Sequence, residues 1–272
     1  MNRKLIAIVP AGGVGQRAEA GLPKQYQSIA GKPMLWHAVQ ALLADTRISQ
    51  VRVATAPDDA YVANALAGSL RTVWRPCGGP TRAHTVLGAL DDALTQGSLA
   101  DNDWVLVHDA ARPALPATAL ARLIDTCLAR DTGGLLALPV ADSVKQAVQT
   151  DASDRTQTPP GSEEAVPVAR SVPRDGLWLA QTPQMFRAGQ LRRALEQGLQ
   201  AGLALTDESS AMERTGCQPL LVTGAASNFK VTWPEDFDRV AGYLDPTHLS
   251  GSAAHHTACD PGNPPQEQDT PS

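Results

Sequence analysis

Two cations, Arg17 and Lys24, stand on the far side of a loop of small residues, Ala11, Gly12, Gly13, Val14 and Gly15. The loop follows an apolar run, residues 5–9, that stops at Pro10. Glycines let backbone press close to a ligand, and the successive N–H groups of such a loop converge on anionic oxygens as a nest. With Arg17 and Lys24 beside it, the loop is suited to phosphate; the plainer alternative is a tight turn with two solvated cations. A second constellation is His108-Asp109-Ala110-Ala111-Arg112-Pro113, directly after the apolar run Trp104-Val105-Leu106-Val107. An acid at that place, Asp109, holds Mg²⁺ beside a nucleotide in many α/β enzymes, while Ala110 and Ala111 would let a base or sugar lie close. Asp109 as a cap of the next helix is the alternative, with Pro113 and Pro116 displacing that helix. A third is Cys77-Gly78-Gly79-Pro80-Thr81-Arg82 with Thr85 one turn on, a glycine loop leading into a helix start, where free N–H groups attract an anion or a base. Arg174 in Pro173-Arg174-Asp175-Gly176 and Lys230 in Asn228-Phe229-Lys230-Val231 are single cations beside turns, and taken alone each reads as solvated surface charge.

The first loop is not a Walker A loop, since no Gly-Lys-Ser/Thr follows the glycines. Gly13, Gly15 and Ala18 fit the dinucleotide pattern G-x-G-x-x-G/A, yet Gly21, Leu22 and Pro23 interrupt the helix that should begin at once. No acid ends a second strand about twenty residues on, where a ribose hydroxyl would need it.

The elements that must carry these residues alternate. Strands are expected at residues 51–55, 71–75, 104–107 and 134–140, and helices at 33–43, 58–66, 81–94 and 115–130. This rhythm predicts an α/β fold, a mostly parallel twisted sheet with helices on both faces, whose ligands bind beyond the carboxyl ends of the strands. The glycine loop and Asp109 both fall at that edge. Between residues 146 and 173 the chain turns rich in Asp, Thr, Pro, Ser and Glu, flanked by strand-like pieces at 143–148 and 166–172, which reads as a long hairpin arm. Helices return at 188–200, 207–215 and 234–244, with a strand at 219–222. Gln181-Thr182-Pro183-Gln184 and Thr206-Asp207-Glu208-Ser209 read as helix entries, the latter capped by Thr206 or Asp207. From residue 245 on there is almost nothing to bury, so a disordered tail is expected. Its His255-His256 pair near Cys259 reads as incidental.

A net charge of −5 over 272 residues argues against a general nucleic-acid surface. Lysine is scarce: Lys4, Lys24, Lys32, Lys145 and Lys230 are the complete set, so Lys24 and Lys230 are not members of a lysine coat. Cys77, Cys127, Cys217 and Cys259 lie far apart without C-x-x-C spacing, which offers neither a zinc site nor a disulfide framework and suits a reducing cytoplasm. No apolar run is long enough for a signal peptide or a membrane span.

PAGGVGQR…PKQY, VHDAARP, ADSVK, PRDGLW, LAQTPQMF, TDESSAME and NFKVTWPED, in this order over residues 6–244, resemble the 2-C-methyl-D-erythritol 4-phosphate cytidylyltransferase family. The resemblance implies a Rossmann-like nucleotidyltransferase fold over residues 1–245, with a dimerisation arm at about 141–180 and a tail at 246–272. It implies transfer of a cytidylyl group from CTP to methylerythritol phosphate, with pyrophosphate released and Mg²⁺ on the triphosphate. By motif, Arg17 and Lys24 would stabilise the transition state, and Arg174 and Lys230 would position the substrate phosphate. Asp109 would hold Mg²⁺. Ala11, Gly12, Gly13, Val14, Gly15, Lys24, Gly79, Thr85, Asp109 and Ala110 would receive CTP, with Gly79 and Thr85 reading cytosine. Arg112, Ser143, Thr182 and Thr206 would line the alcohol pocket. The resemblance also implies a homodimer whose arms exchange, Arg174 and Thr182 completing the partner's site, and neither nucleic acid nor membrane as a partner. Two positions depart from the family pattern: Pro80 stands where an acid is common, and Ser227 where Asp is frequent. No cyclodiphosphate synthase domain is expected to follow. The rival readings are an enzyme for another polyol phosphate, such as ribitol 5-phosphate, a non-catalytic nucleotide-binding module, and, on the weak glycine pattern alone, a nicotinamide-dependent oxidoreductase.

Overall fold

A computed structural model of the chain describes residues 3–13, 21–148 and 165–244. Val14, Gly15 and Arg17, the tip of the arm, and the tail with His255, His256 and Cys259 lie outside the described residues.

Strand β1 (Leu5–Ala11) runs through the middle of a seven-stranded sheet. Two small strands, β2 (Ser28–Ile29) and β3 (Lys32–Pro33), form a separate hairpin. Its two-residue turn places Ala30 (φ 48°) and Gly31 (φ 79°) both in the left-handed region, the geometry that matches strand twist in a tight hairpin. β4 (Gln50–Thr55) pairs in parallel with β1, and β5 (Thr72–Arg75) adds outside it. On the other flank come β6 (Trp104–Val107), parallel to β1, then β10 (Trp178–Arg187), antiparallel to β6. β7 (Gly134–Pro139) pairs antiparallel with β10, and β11 (Leu220–Thr223) closes that edge in parallel. The order is β11-β7-β10-β6-β1-β4-β5.

Period-two alternation on the central strands builds a core on each face. Leu5, Ala7 and Val9 of β1 join Trp104 and Leu106 of β6 on one face, packed by α1 (Met34–Leu43) and α4 (Ala117–Arg130). Ile6, Ile8, Val105 and Val107 point the other way, onto α3 (Arg82–Thr95), α5 (Ala188–Gln200) and α6 (Glu208–Glu213). A smaller cluster joins Val240 of α7 (Glu235–Leu244) to Ile29, Met34 and Val231. That cluster ties the segment bearing Lys230 to the hairpin that follows Lys24.

The arm pairs β8 (Val144–Ala147) with β9 (Val168–Val172) antiparallel and stands away from the sheet with nearly every described residue exposed. Val166, Val168, Leu177, Trp178 and Leu179 are apolar and exposed along it.

Two expectations fail. The helix expected at 58–66 shrinks to one turn, α2 (Val62–Ala65). Asp59 Oδ1 accepts the N–H groups of Tyr61 (2.9 Å) and Val62 (3.0 Å), a side-chain turn that competes with earlier helix formation. The helix entry expected at 181–184 is instead the middle of strand β10, whose residues 181–186 are buried. Pro183 has no N–H to donate, and pairing with β7 shifts register between Ala180 and Gln184, where a ladder bond is dispensable. Elsewhere the boundaries move by a residue or two. Pro33 and Pro116 sit at the N-cap positions of α1 and α4, and Asp207 caps α6 by accepting from Ser210 N at 2.9 Å.

Candidate active site

A cleft of about 1510 Å³ opens at the carboxyl ends of β1 and β6. Ala11, Gly12, Gly13, Lys24, Gly79, Thr85, Asp109, Ala110 and Lys230 all line it, so segments far apart in sequence meet there. The first and third constellations pack directly together. A Cβ on Gly78 would lie 2.6 Å from Thr55 O, and one on Gly12 would lie 3.1 Å from Gly78 Cα. Only glycine permits that backbone approach. Thr85, almost wholly buried, accepts Gly79 N–H at 3.1 Å and donates to Thr81 O at 3.1 Å, which fixes the second glycine loop on the start of α3. Gln25 donates to Ala11 O (3.2 Å) and Gly13 O (3.4 Å), bracing the first loop from the turn that carries Lys24.

Asp109 is the centre of charge. Its Oδ1 lies 2.8 Å from Arg82 Nε, and its Oδ2 lies 3.1 Å from Lys230 Nζ and 3.8 Å from Arg112 Nε. Burial by itself would raise this carboxyl; Arg82, Lys230 and Arg112 outweigh burial and hold it well below the usual range. Asp109 caps no helix, because α4 begins only at Ala117 behind Pro116. The backbone N–H of Asp109 donates to Thr182 Oγ1 at 3.0 Å. The same hydroxyl lies 3.0 Å from His108 Nδ1, and His108 Nε2 lies 3.0 Å from Arg112 O. Burial pushes His108 down to about 4, so it is neutral, donates from Nε2 to the Arg112 carbonyl and accepts the Thr182 hydroxyl at Nδ1.

Lys24 donates to Val231 O, immediately beside Lys230. Arg112 donates to Asn228 O at 2.7 Å and touches Asp109 from behind the cleft wall. Besides Arg112, four more expected alcohol-site residues do not line the cleft of their own chain. Ser143 and Arg174 stand with the exposed arm, where Arg174 donates to Ala141 O. Thr206 is exposed just ahead of α6, and Thr182 is buried behind Asp109.

Residues that sequence reasoning did not single out complete the support. Arg82 spans Asp109 and the fully buried Glu208, with Nη1–Oε1 at 2.7 Å and Nη2–Oε2 at 2.9 Å. Burial opposes its charge, and the carboxylates of Glu208 and Asp109 override that and raise its pKa. Arg82 sits in the third constellation and Glu208 in the α6 entry, but nothing in either motif announces a partner 126 positions away. Asn228 is buried and donates to Thr182 O at 2.7 Å, tying the Lys230 segment to β10.

An open α/β sheet with a glycine loop, cations and one carboxylate at its carboxyl edge is the architecture of an enzyme that handles nucleoside phosphates. Sequence similarity narrows that class. The pattern of the family described as "IspD: 2-C-methyl-D-erythritol 4-phosphate cytidylyltransferase" matches residues 5–245. The Bordetella pertussis protein named 2-C-methyl-D-erythritol 4-phosphate cytidylyltransferase is 60% identical over 248 residues, covering 90% of this chain and 100% of that protein. Its namesake from Ralstonia nicotianae is 47% identical over 243 residues, covering 87% and 90%. The fold matches a crystal structure of 4-diphosphocytidyl-2C-methyl-D-erythritol synthase with a TM-score of 0.74 at 38% identity, over 90% of this chain and 100% of that one. The chain belongs to the 2-C-methyl-D-erythritol 4-phosphate cytidylyltransferase family and is a nucleotidyltransferase. Among the described residues no helix is long and apolar enough to cross a membrane.

Proposed function

We infer that this chain transfers a cytidylyl group from CTP to 2-C-methyl-D-erythritol 4-phosphate, giving the CDP-alcohol and pyrophosphate in the non-mevalonate route to isoprenoids. A phosphate oxygen of the alcohol substrate forms a bond to the α-phosphorus of CTP, and the bond from that phosphorus to the bridging oxygen of the leaving pyrophosphate breaks. Both reactants are anions, and the attacking oxygen is already ionised near neutral pH. The site therefore needs positioning and positive charge rather than a general base. The observation that carries this reading is the meeting of Lys24, Lys230 and Asp109 with two glycine loops in one cleft.

The residues fit a divalent cation held chiefly by substrate. Asp109 is the one carboxylate among the described cleft-lining residues, and no group of three or more His, Cys, Asp or Glu is placed among the described residues to cage a metal. One carboxylate plus substrate phosphates and water is how Mg²⁺ is commonly bound. Asp109 would hold it, and it would neutralise the triphosphate. The triphosphate then lies along the loop from Ala11 with Ala110 close by, and the base lies toward Gly79 and Thr85. Lys24 faces the charge that builds during transfer, a role the family motif also gives to Arg17; Lys230 orients the alcohol phosphate.

The alcohol side is completed by a second copy. Arg174 and Ser143 stand on an arm whose exposed apolar residues, Val168 and Leu179 among them, are suited to burial against a partner. Thr182 acts within its own chain by holding the Asp109 backbone. Pyrophosphate release measured with CTP, Mg²⁺ and either methylerythritol phosphate or ribitol 5-phosphate tests the reading. Release is expected only with the former, and preference for the latter would replace the substrate assignment.

A further inference from the structure

Glu208 is fully buried, and it does not line the cleft. A carboxylate in that situation must be paired, and this one meets the guanidinium of Arg82 fork to fork. The pair joins the first residues of two helices, α3 and α6. α6 is in turn fixed from the sheet: Gln184 of β10 accepts Ser209 N–H at 2.7 Å and donates to Asp207 Oδ2 at 2.9 Å. Glu208 is thus anchored before Arg82 is considered. With Nη1 and Nη2 both aimed at Glu208, Arg82 meets Asp109 through Nε, and it contacts a single oxygen, Oδ1.

We propose that Glu208 is a positioning residue that holds Arg82 back, so that the guanidinium steadies Asp109 through one edge and does not close over both carboxylate oxygens. This rests on the reading of Asp109 as the residue that receives the divalent cation with CTP. A guanidinium released from Glu208 would turn its two terminal nitrogens onto Asp109 as a bidentate pair, the geometry arginine favours with a carboxylate. The cation would then have to displace that pair. The alcohol side of the reaction, formed by Lys230 and the partner's arm, is not addressed by this device.

The test uses the full chain and Mn²⁺ as the probe, with free Mn²⁺ read by electron paramagnetic resonance in the presence of CTP. Glu208→Gln is expected to bind Mn²⁺ about tenfold more weakly than the parent, as loss of a buried partner of a metal-holding group commonly does, with the KM for methylerythritol phosphate changed less than about twofold. Adding Glu208→Gln to Arg82→Gln should weaken Mn²⁺ binding no further, because the effect runs through Arg82. Where Glu208→Gln does not give folded protein by thermal melting, Glu208→Asp, charged but too short to fork both nitrogens, should show the same weakening to a smaller degree. Parent-like Mn²⁺ binding by the folded variant, or additive effects in the double variant, overturns the proposal. Asp109→Asn separates the two ideas. Unchanged Mn²⁺ binding there overturns the reading of Asp109. Weakened binding there beside parent-like binding in Glu208→Gln overturns the role of Glu208 alone.

Discussion

At the scale of single residues the cleft is a problem of like charges brought together. Lys24 and Lys230 reach it from opposite ends of the chain, and the Lys24 ammonium bonds the carbonyl beside Lys230. Such proximity is tolerable because Asp109 sits among the cations, and on the proposed reading the reaction delivers two anions to them. Lys24→Ala should therefore lower turnover by on the order of a hundredfold or more, the loss seen when a preorganised charge is taken from a transition state. The circular dichroism spectrum should stay that of the parent, since Lys24 lies in a short surface turn. Near-normal turnover would remove Lys24 from the machinery. Lys24 and Lys230 were legible in the sequence because lysine is scarce and glycine-rich loops are distinctive. Arg82 and Glu208 were not, because the value of a buried ion pair lies in a partner that only the fold supplies.

The elements were legible wherever hydrophobic period and punctuation agreed. Pro33 and Pro116 mark helix starts, and Thr81 caps α3 by accepting His84 N–H. Strand β10 escaped because it is buried along both faces in its second half and holds a proline at an irregular register, so it shows neither alternation nor a continuous apolar run. That strand matters for function, since Thr182 and Gln184 on it anchor Asp109 and α6. The α6 cap can be tested through pH. Burial would raise the Asp207 carboxyl, but hydrogen bonds from Gln184, Ser210 and Ser209 outweigh that and lower it from the ordinary carboxylate value. A carboxyl lowered on folding contributes stability that is fully present above its unfolded pKa and is lost as pH falls through the folded value. Asp207→Ala should cost about 1 kcal/mol or more in urea unfolding at pH 7, the usual worth of an N-cap. The gap between parent and variant should narrow below pH 4, as protonation weakens the parent's cap. A gap unchanged down to pH 3 would mean that the charge contributes nothing to the cap.

For the whole molecule, the decisive question is where the alcohol phosphate finds its second cation. Lys230 is in the cleft, while Arg174 hangs on an arm with exposed apolar residues and donates to the Ala141 carbonyl of its own chain. The arm was visible in the sequence as a break in the helix-and-strand rhythm, but the surface it would cover on a second copy is not written in one chain. If arms exchange across a two-fold axis, each cleft is composite: Asp109 from one copy, Arg174 from the other. Arg174→Ala should then raise the KM for methylerythritol phosphate and leave CTP binding close to the parent's. Mixing Arg174→Ala with Asp109→Asn, each slow alone when methylerythritol phosphate is held well below the raised KM, gives a sharper outcome. After subunits are unfolded and refolded together, half of the dimers are mixed. In each mixed dimer one cleft carries both defects and the other carries neither. Pyrophosphate release should recover to about a quarter of the parent rate, as the symmetry of a closed dimer requires. Recovery that never exceeds the sum of the separate variants would place Arg174 in the service of its own chain and dissolve the composite site.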